Sequence, residues 1–155
     1  MPPLTILHLI TELNVGGAEQ MLYKMVSHSD ESNFRHFVVS MADIGPIGEK
    51  MAKSGIRVYE LGMKAGVPDP RGILRLFRLL KKEPVDILQT WLYHADLLGL
   101  IAGKISHVPK IVWGIRCSEM RFEKYKRLTF YTMRLCAILS SFVDAIVVNS
   151  NAGSG

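Results

Sequence analysis

Thr5 to Gln20 reads TILHLITELNVGGAEQ, and the change of period inside it decides the fold. Leu4, Ile6, Leu7, Leu9 and Ile10 form a short apolar run, the pattern of a parallel strand buried on both faces, and polar Glu12 and Asn14 end it. From Gly17 the spacing turns helical: Ala18, Met21, Leu22, Met25 and Val26 fall on one stripe of a helix. Gly16 and Gly17 therefore sit where a helix presents its first unpaired N–H groups, a place that favours an anion. Glycine lets a ligand approach the main chain closely, although the same pair also serves a tight turn with no ligand. NVGGAEQM offers one adjacent glycine pair and no G-x-G-x-x-G fingerprint, which disfavours an NAD or FAD site.

Outward from this stretch the alternation repeats. His36 to Met41 (HFVVSM) predicts a second strand, Ile47 to Lys53 a short helix capped by left-handed Gly55, and Arg57 to Leu61 a third strand. Gly62 to Pro70, punctuated by Gly62, Gly66, Pro68 and Pro70, reads as a long loop. In the helix expected over Arg71 to Lys82, Ile73, Leu76, Phe77 and Leu80 share one side, and Arg71, Arg75, Arg78 and Lys82 the other. That basic face is either a solvated outer surface or a contact with an anionic membrane. Pro84 closes the helix, Asp86 to Thr90 predicts a fourth strand, Trp91 to Asp96 an exit loop and Ala95 to Ser106 a helix. Lys110 to Gly114 is the fifth strand, Ile115 to Met120 a turn, Arg121 to Phe142 a mostly helical basic segment, and Asp144 to Asn149 the sixth strand.

Strands alternating with helices imply an α/β fold: a Rossmann-like open parallel sheet of about six strands with helices on both faces. Ligands on such sheets bind beyond the carboxyl ends of the strands, near the reversal of strand order. The rule selects the loops Glu12 to Gly17, Trp91 to Asp96, Ile115 to Met120 and Ser150 to Gly155.

At 155 residues, 48% hydrophobic and 21% charged, the chain suits one packed domain. A formal charge of +5 permits a phosphate-bearing ligand, a nucleic acid or an anionic membrane as partner. The basic residues form no recognisable nucleic-acid-reading motif, so no nucleic acid is expected. Cys117 and Cys136 make neither a disulfide framework nor a C-x-x-C site, which favours a reducing, cytoplasmic setting. The five histidines show no metal-ligand spacing, and no metal is expected. MPPLTILHLI lacks the basic leader of a signal peptide, and Arg134, Ser140, Ser141 and Asp144 interrupt the apolar stretch from Leu128 to Val148.

His94 lies just past the fourth strand, where an imidazole could hydrogen-bond a sugar hydroxyl or take its proton. Arg116 holds the matching place after the fifth strand and could pair with phosphate or carboxylate. Trp91 reads as a packing residue or as an aromatic face for a sugar; Glu19 suits the helix dipole and Asp96 a helix cap. No nucleophile elbow and no G-x-x-x-x-G-K-[ST] loop occurs.

The segments ILHLITELNVGGAEQML, DILQTWLYHADLLGLIAGK, VPKIVWGIR and AIVVNSNAG, in that order, resemble the N-terminal domain of family 4 retaining glycosyltransferases. The resemblance implies a GT-B architecture, in which two Rossmann-like domains face a cleft, the first mainly for the acceptor and the second for the nucleotide-sugar. It implies that Gly16 and Gly17 approach the donor diphosphate, that His94 lines the acceptor and transferred-sugar site as the catalytic candidate, and that Arg116 belongs to the same cleft, with Ser150 and Asn151 at its rim. The partners implied are a nucleotide-sugar, as substrate with no cofactor, and a glycan or lipid-linked acceptor at the inner face of a membrane. Many relatives carry H-x-H where this chain has Gln89 and Trp91, which leaves His94 as either the principal histidine or an acceptor contact. Residues 1–155 then correspond to a single, truncated acceptor-side domain that awaits a C-terminal donor domain or partner subunit and is inactive alone. The competing reading is a non-catalytic scaffold binding a partner subunit or anionic membrane through its basic helices.

Overall fold

The computed structural model describes residues 2–64, 69–115, 131, 134–135 and 137–148. Strands β1 (Leu4–Ile10), β2 (Phe34–Ser40), β3 (Arg57–Glu60), β4 (Ile87–Trp91), β5 (Lys110–Ile115) and β6 (Ala145–Val148) alternate through most of their course with helices α1 (Gly17–Ser27), α2 (Gly45–Lys53), α3 (Pro70–Lys82) and α4 (Tyr93–Ile105). All strand pairs are parallel, in the order β3-β2-β1-β4-β5-β6. This is the Rossmann-like sheet expected from the alternation. The order reverses between β1 and β4, where Ile10 stands opposite Trp91 at the carboxyl ends. Loops leaving these two strands therefore flank the crevice at which such sheets take ligands.

Residue alternation along the central strands places core on both faces of the sheet, and Leu100, Ile111 and Trp113 form a further cluster. Leu7 and Leu9 of β1, Phe37 and Val39 of β2 and Leu88 of β4 pack with Leu76 and Leu80 of α3 and with Ala95 and Ala102 of α4. Ile10, Val38 and Trp91 point the other way, against Leu22 and Val26 of α1 and Ile47 and Met51 of α2. Helices thus cover both faces of the central strands.

Helix α3 sorts its faces as its spacing predicts: Leu76 and Leu80 are buried, whereas Arg71, Leu74, Arg75, Arg78, Lys81 and Lys82 are exposed. The Asp69 carboxylate accepts from the Arg71 N–H at 2.9 Å and caps the helix. Among the described residues no helix is long and apolar enough to cross a membrane.

Two expectations change. In α1 the buried face is Glu19, Leu22 and Val26, while Met21 and Met25 are 43% and 37% exposed. The sequence holds two overlapping helical stripes, and docking of α2 selects the one containing Tyr23: Lys50 Nζ lies 4.6 Å from its ring and Ser54 Oγ 3.4 Å from its hydroxyl. The second change is at the exit of β4. Trp91 is the last strand residue and α4 begins at Tyr93, so the expected loop from Trp91 to Asp96 shrinks to Leu92 alone.

Candidate functional site

The loop from β1 to α1 is anchored by Leu13, which is fully buried and whose carbonyl accepts from the Ile47 N–H at 3.1 Å. Gly45, at φ +63°, allows this approach, because a Cβ there would stand 2.5 Å from the Leu13 oxygen. With Leu13 held, Asn14, Val15 and Gly17 remain exposed beside the reversal point.

Gly16 is the extended N-cap of α1 and supplies no side-chain cap. Helix geometry leaves the first amides without intrahelical acceptors. Glu19 folds back over this end: a Cβ on Gly16 would come within reach of its carboxylate, and its own backbone N–H bonds to that carboxylate. Desolvation nevertheless raises the Glu19 pKa, with Glu12 adding to the rise. Glu19 thus completes the helix start as its place in the first turn led us to expect. At Gly17 no described atom beyond the helix's own backbone lies within 4 Å of an added Cβ, so packing among the described residues does not require the missing side chain there.

Across the crevice, Leu92 joins β4 to α4 at φ 77° and ψ 157°, a region that is nearly glycine-only and costs a leucine about 1–3 kcal/mol. It is held from both sides of the sheet. Thr90 faces α4, where its Oγ1 lies 2.5 Å from Asp96 Oδ1 and 3.5 Å from the Val112 carbonyl of β5. Asp96 is therefore tied to the sheet and does not cap its helix; the N-cap, Leu92, has no side-chain cap bond. Burial pushes the Asp96 carboxyl up to about 7, against the opposing pull of Thr90. Its Oδ2 is buried without a hydrogen-bond partner among the described residues, a far smaller penalty for a neutral acid than for a carboxylate. A protonated Asp96 can donate to Thr90 Oγ1, which in turn donates to Val112.

Trp91 faces the other side and is 0% exposed, so its ring packs in the core and offers no face to a sugar. The expectation of a cleft aromatic is corrected by strand alternation: the residue opposite Ile10 is a core position. His94 lies in the first turn of α4, half-buried, with its pKa lowered by desolvation, which keeps the imidazole neutral at pH 7. Gly16, Gly17 and His94 thus lie on the two elements flanking the reversal of strand order. Arg116, Ser150 and Asn151 lie outside the described residues. Thr90 was missed in the sequence, since a threonine within a strand carries no signal until its partner on α4 is known.

The sequence profile of Glycosyltransferase Family 4 matches residues 15–153. The chain belongs to that family. Its fold is similar to that of HepE from Anabaena, solved with UDP and glucose, at TM-score 0.72 and 18% identity over 96% of this chain and 39% of that one. MurG from Acinetobacter baumannii gives TM-score 0.63 and 12% identity over 96% of this chain and 41% of that one. The UDP-GlcNAc 2-epimerase of Neisseria meningitidis, bound to UDP-GlcNAc, gives 0.51 and 13% over 96% and 47%. The family 4 domain has the fold of one Rossmann-like half of a GT-B glycosyltransferase and spans about two fifths of the length of HepE and MurG. No curated protein matches the chain at a significant level.

Proposed function

We propose that this family 4 domain forms the acceptor side of a glycosyltransferase that moves a sugar from a nucleotide-sugar to a glycan or lipid-linked acceptor, with retention, when joined to a donor-binding domain. The observation that carries the reading is the pairing, across the reversal of strand order, of a helix start whose Gly17 is exposed beside the Glu19 carboxylate with a turn bearing a neutral histidine. In transfer, negative charge grows on the departing diphosphate, and fixed N–H donors in a sheltered cleft stabilise it. The amides at Gly16 and Gly17 suit that task, and the His94 imidazole can hold an acceptor or sugar hydroxyl. Structures of a glycosyltransferase and of an epimerase share this fold, so the fold by itself favours neither chemistry; membership of family 4 favours transfer.

His94→Ala in the enzyme complete with its donor domain is expected to lower turnover with little change in melting temperature. Full turnover in that variant removes His94 from the mechanism. Gly17→Ala separates a ligand role from a structural one. Alanine meets no chain atom there and favours a helix by up to about 1 kcal/mol, so the domain should hold or gain stability. Donor affinity should fall all the same, because the methyl group stands where phosphate must approach; donor binding and stability that both stay unchanged would argue against Gly17 as a phosphate contact.

The exposed face of α3 suits an anionic membrane carrying a lipid-linked acceptor. With about 1 kcal/mol gained per basic residue near such a surface, replacing Arg71, Arg75 and Arg78 by glutamine should weaken binding to phosphatidylserine-containing vesicles about 100-fold at low salt. Cosedimentation that ignores the replacement would reject these side chains as the anchor.

A further inference from the structure

A line of polar groups, buried at its inner end and half-buried at its outer end, runs over the face of the sheet covered by α1 and α2. Trp91 Nε1 donates to His8 Nδ1 at 3.3 Å, His8 Nε2 is 2.9 Å from His36 Nδ1, and His36 Nε2 is 2.7 Å from Ser29 Oγ. His8 and Trp91 are 0% exposed. The indole is a donor only, and this fixes every proton along the line. His8 Nδ1 must accept, so its proton sits on Nε2; that proton goes to His36 Nδ1, so the proton of His36 sits on Nε2 and points to Ser29. The two imidazoles stack with centroids 5.2 Å apart, and both are neutral.

A neutral, directed chain of this kind is more than core filler, since leucine at residue 8 would bury as well without needing partners. Its inner end grips Trp91, the residue before strained Leu92, while Thr90, the residue before that, is gripped from the opposite face by Asp96. Consecutive residues held on opposite faces leave the β4 terminus little freedom to rotate. Strained backbone of this type persists only where the surroundings over-determine it.

We propose that His8 and His36 are positioning residues: their hydrogen-bond chain orients the indole of Trp91 and thereby sets the turn at Leu92 that presents His94 to the crevice. The functional meaning of this clamp rests on the reading of His94 given above, but the clamp itself is a statement about geometry. Loss of turnover in His94→Ala tests the former, and the experiment here tests only the latter.

The full chain, labelled with 15N and 13C, is compared by NMR with His8→Leu and His8→Asn. The chain has two tryptophans, and the buried Trp113 Nε1 has no hydrogen-bond partner among the described residues, so Trp91 should give the more downfield indole N–H. His8→Leu should move that signal upfield, speed its exchange and shift the ring signals of His94. His8→Asn, which keeps an acceptor near the place of Nδ1, should restore both. If leucine at residue 8 prevents folding, His36→Phe at its half-buried position breaks the chain one link further out, and the Trp91 and His94 signals are expected to move together. An indole signal indifferent to residue 8, or His94 signals that stay put while the indole moves, overturns the proposal.

Discussion

Asp96→Asn is expected to stabilise the domain at pH 7.5 by about 2–4 kcal/mol more than at pH 4.5. Burial raises the Asp96 pKa from 3.8 to about 7, so the folded chain keeps a proton that the unfolded chain gives up. The contribution of Asp96 to stability therefore falls as pH rises between those values, and above the upper one the whole deficit is present. A gap of some three units corresponds to about 4 kcal/mol as an upper figure. Asparagine has no such term, and its Nδ2 can donate to Thr90 Oγ1 as the neutral acid does, leaving Thr90 free to donate to Val112. Urea denaturation at the two pH values measures the difference directly. An equal effect at both would mean that the carboxyl carries no extra proton in the folded state.

The second large effect runs in the opposite direction and emerges once Asp96 is neutralised. In Asp96→Asn, lowering the pH from 7 to 4.5 is expected to cost about 2–3 kcal/mol. His8 accounts for most of it: burial first, and the neighbouring His36 second, lower its pKa from 6.5 to about 3. The folded chain refuses a proton that the unfolded chain accepts. Its stabilisation is complete above the unfolded pKa and drains away as pH falls below it. His36 and His94, also lowered by burial, add in the same direction. In the unaltered chain the Asp96 and His8 terms oppose each other across nearly the same interval, so its stability should vary less with pH than that of either variant. His8→Asn in the Asp96→Asn background should flatten the acid limb; a limb that persists unchanged would assign it to other groups.

Such opposition could not be read from the sequence. His8 and His36 are 28 residues apart, and neither shows metal spacing nor a catalytic motif. They meet because β1 and β2 pair in parallel with Ile6 opposite His36, which leaves His8 one diagonal step away on the same face. Trp91 shows a subtler limit. Its place at the end of DILQT was clear, but whether it faced a cleft or the core depended on strand alternation and on one residue of strand length. The α1 stripe held at Leu22 and Val26 but not at Met21 and Met25, because α2 packs against the side that carries Tyr23.

The six-strand parallel alternation, the glycine helix start, the basic face of α3 and the likeness to family 4 were all present in residue order, because periodicity and backbone permissiveness are local properties. Tertiary structure decided the reversal of strand order between β1 and β4, the raised pKa of Asp96 and the clamp on Leu92. Those depend on which side chains lose water together, and that is settled only when distant strands come side by side.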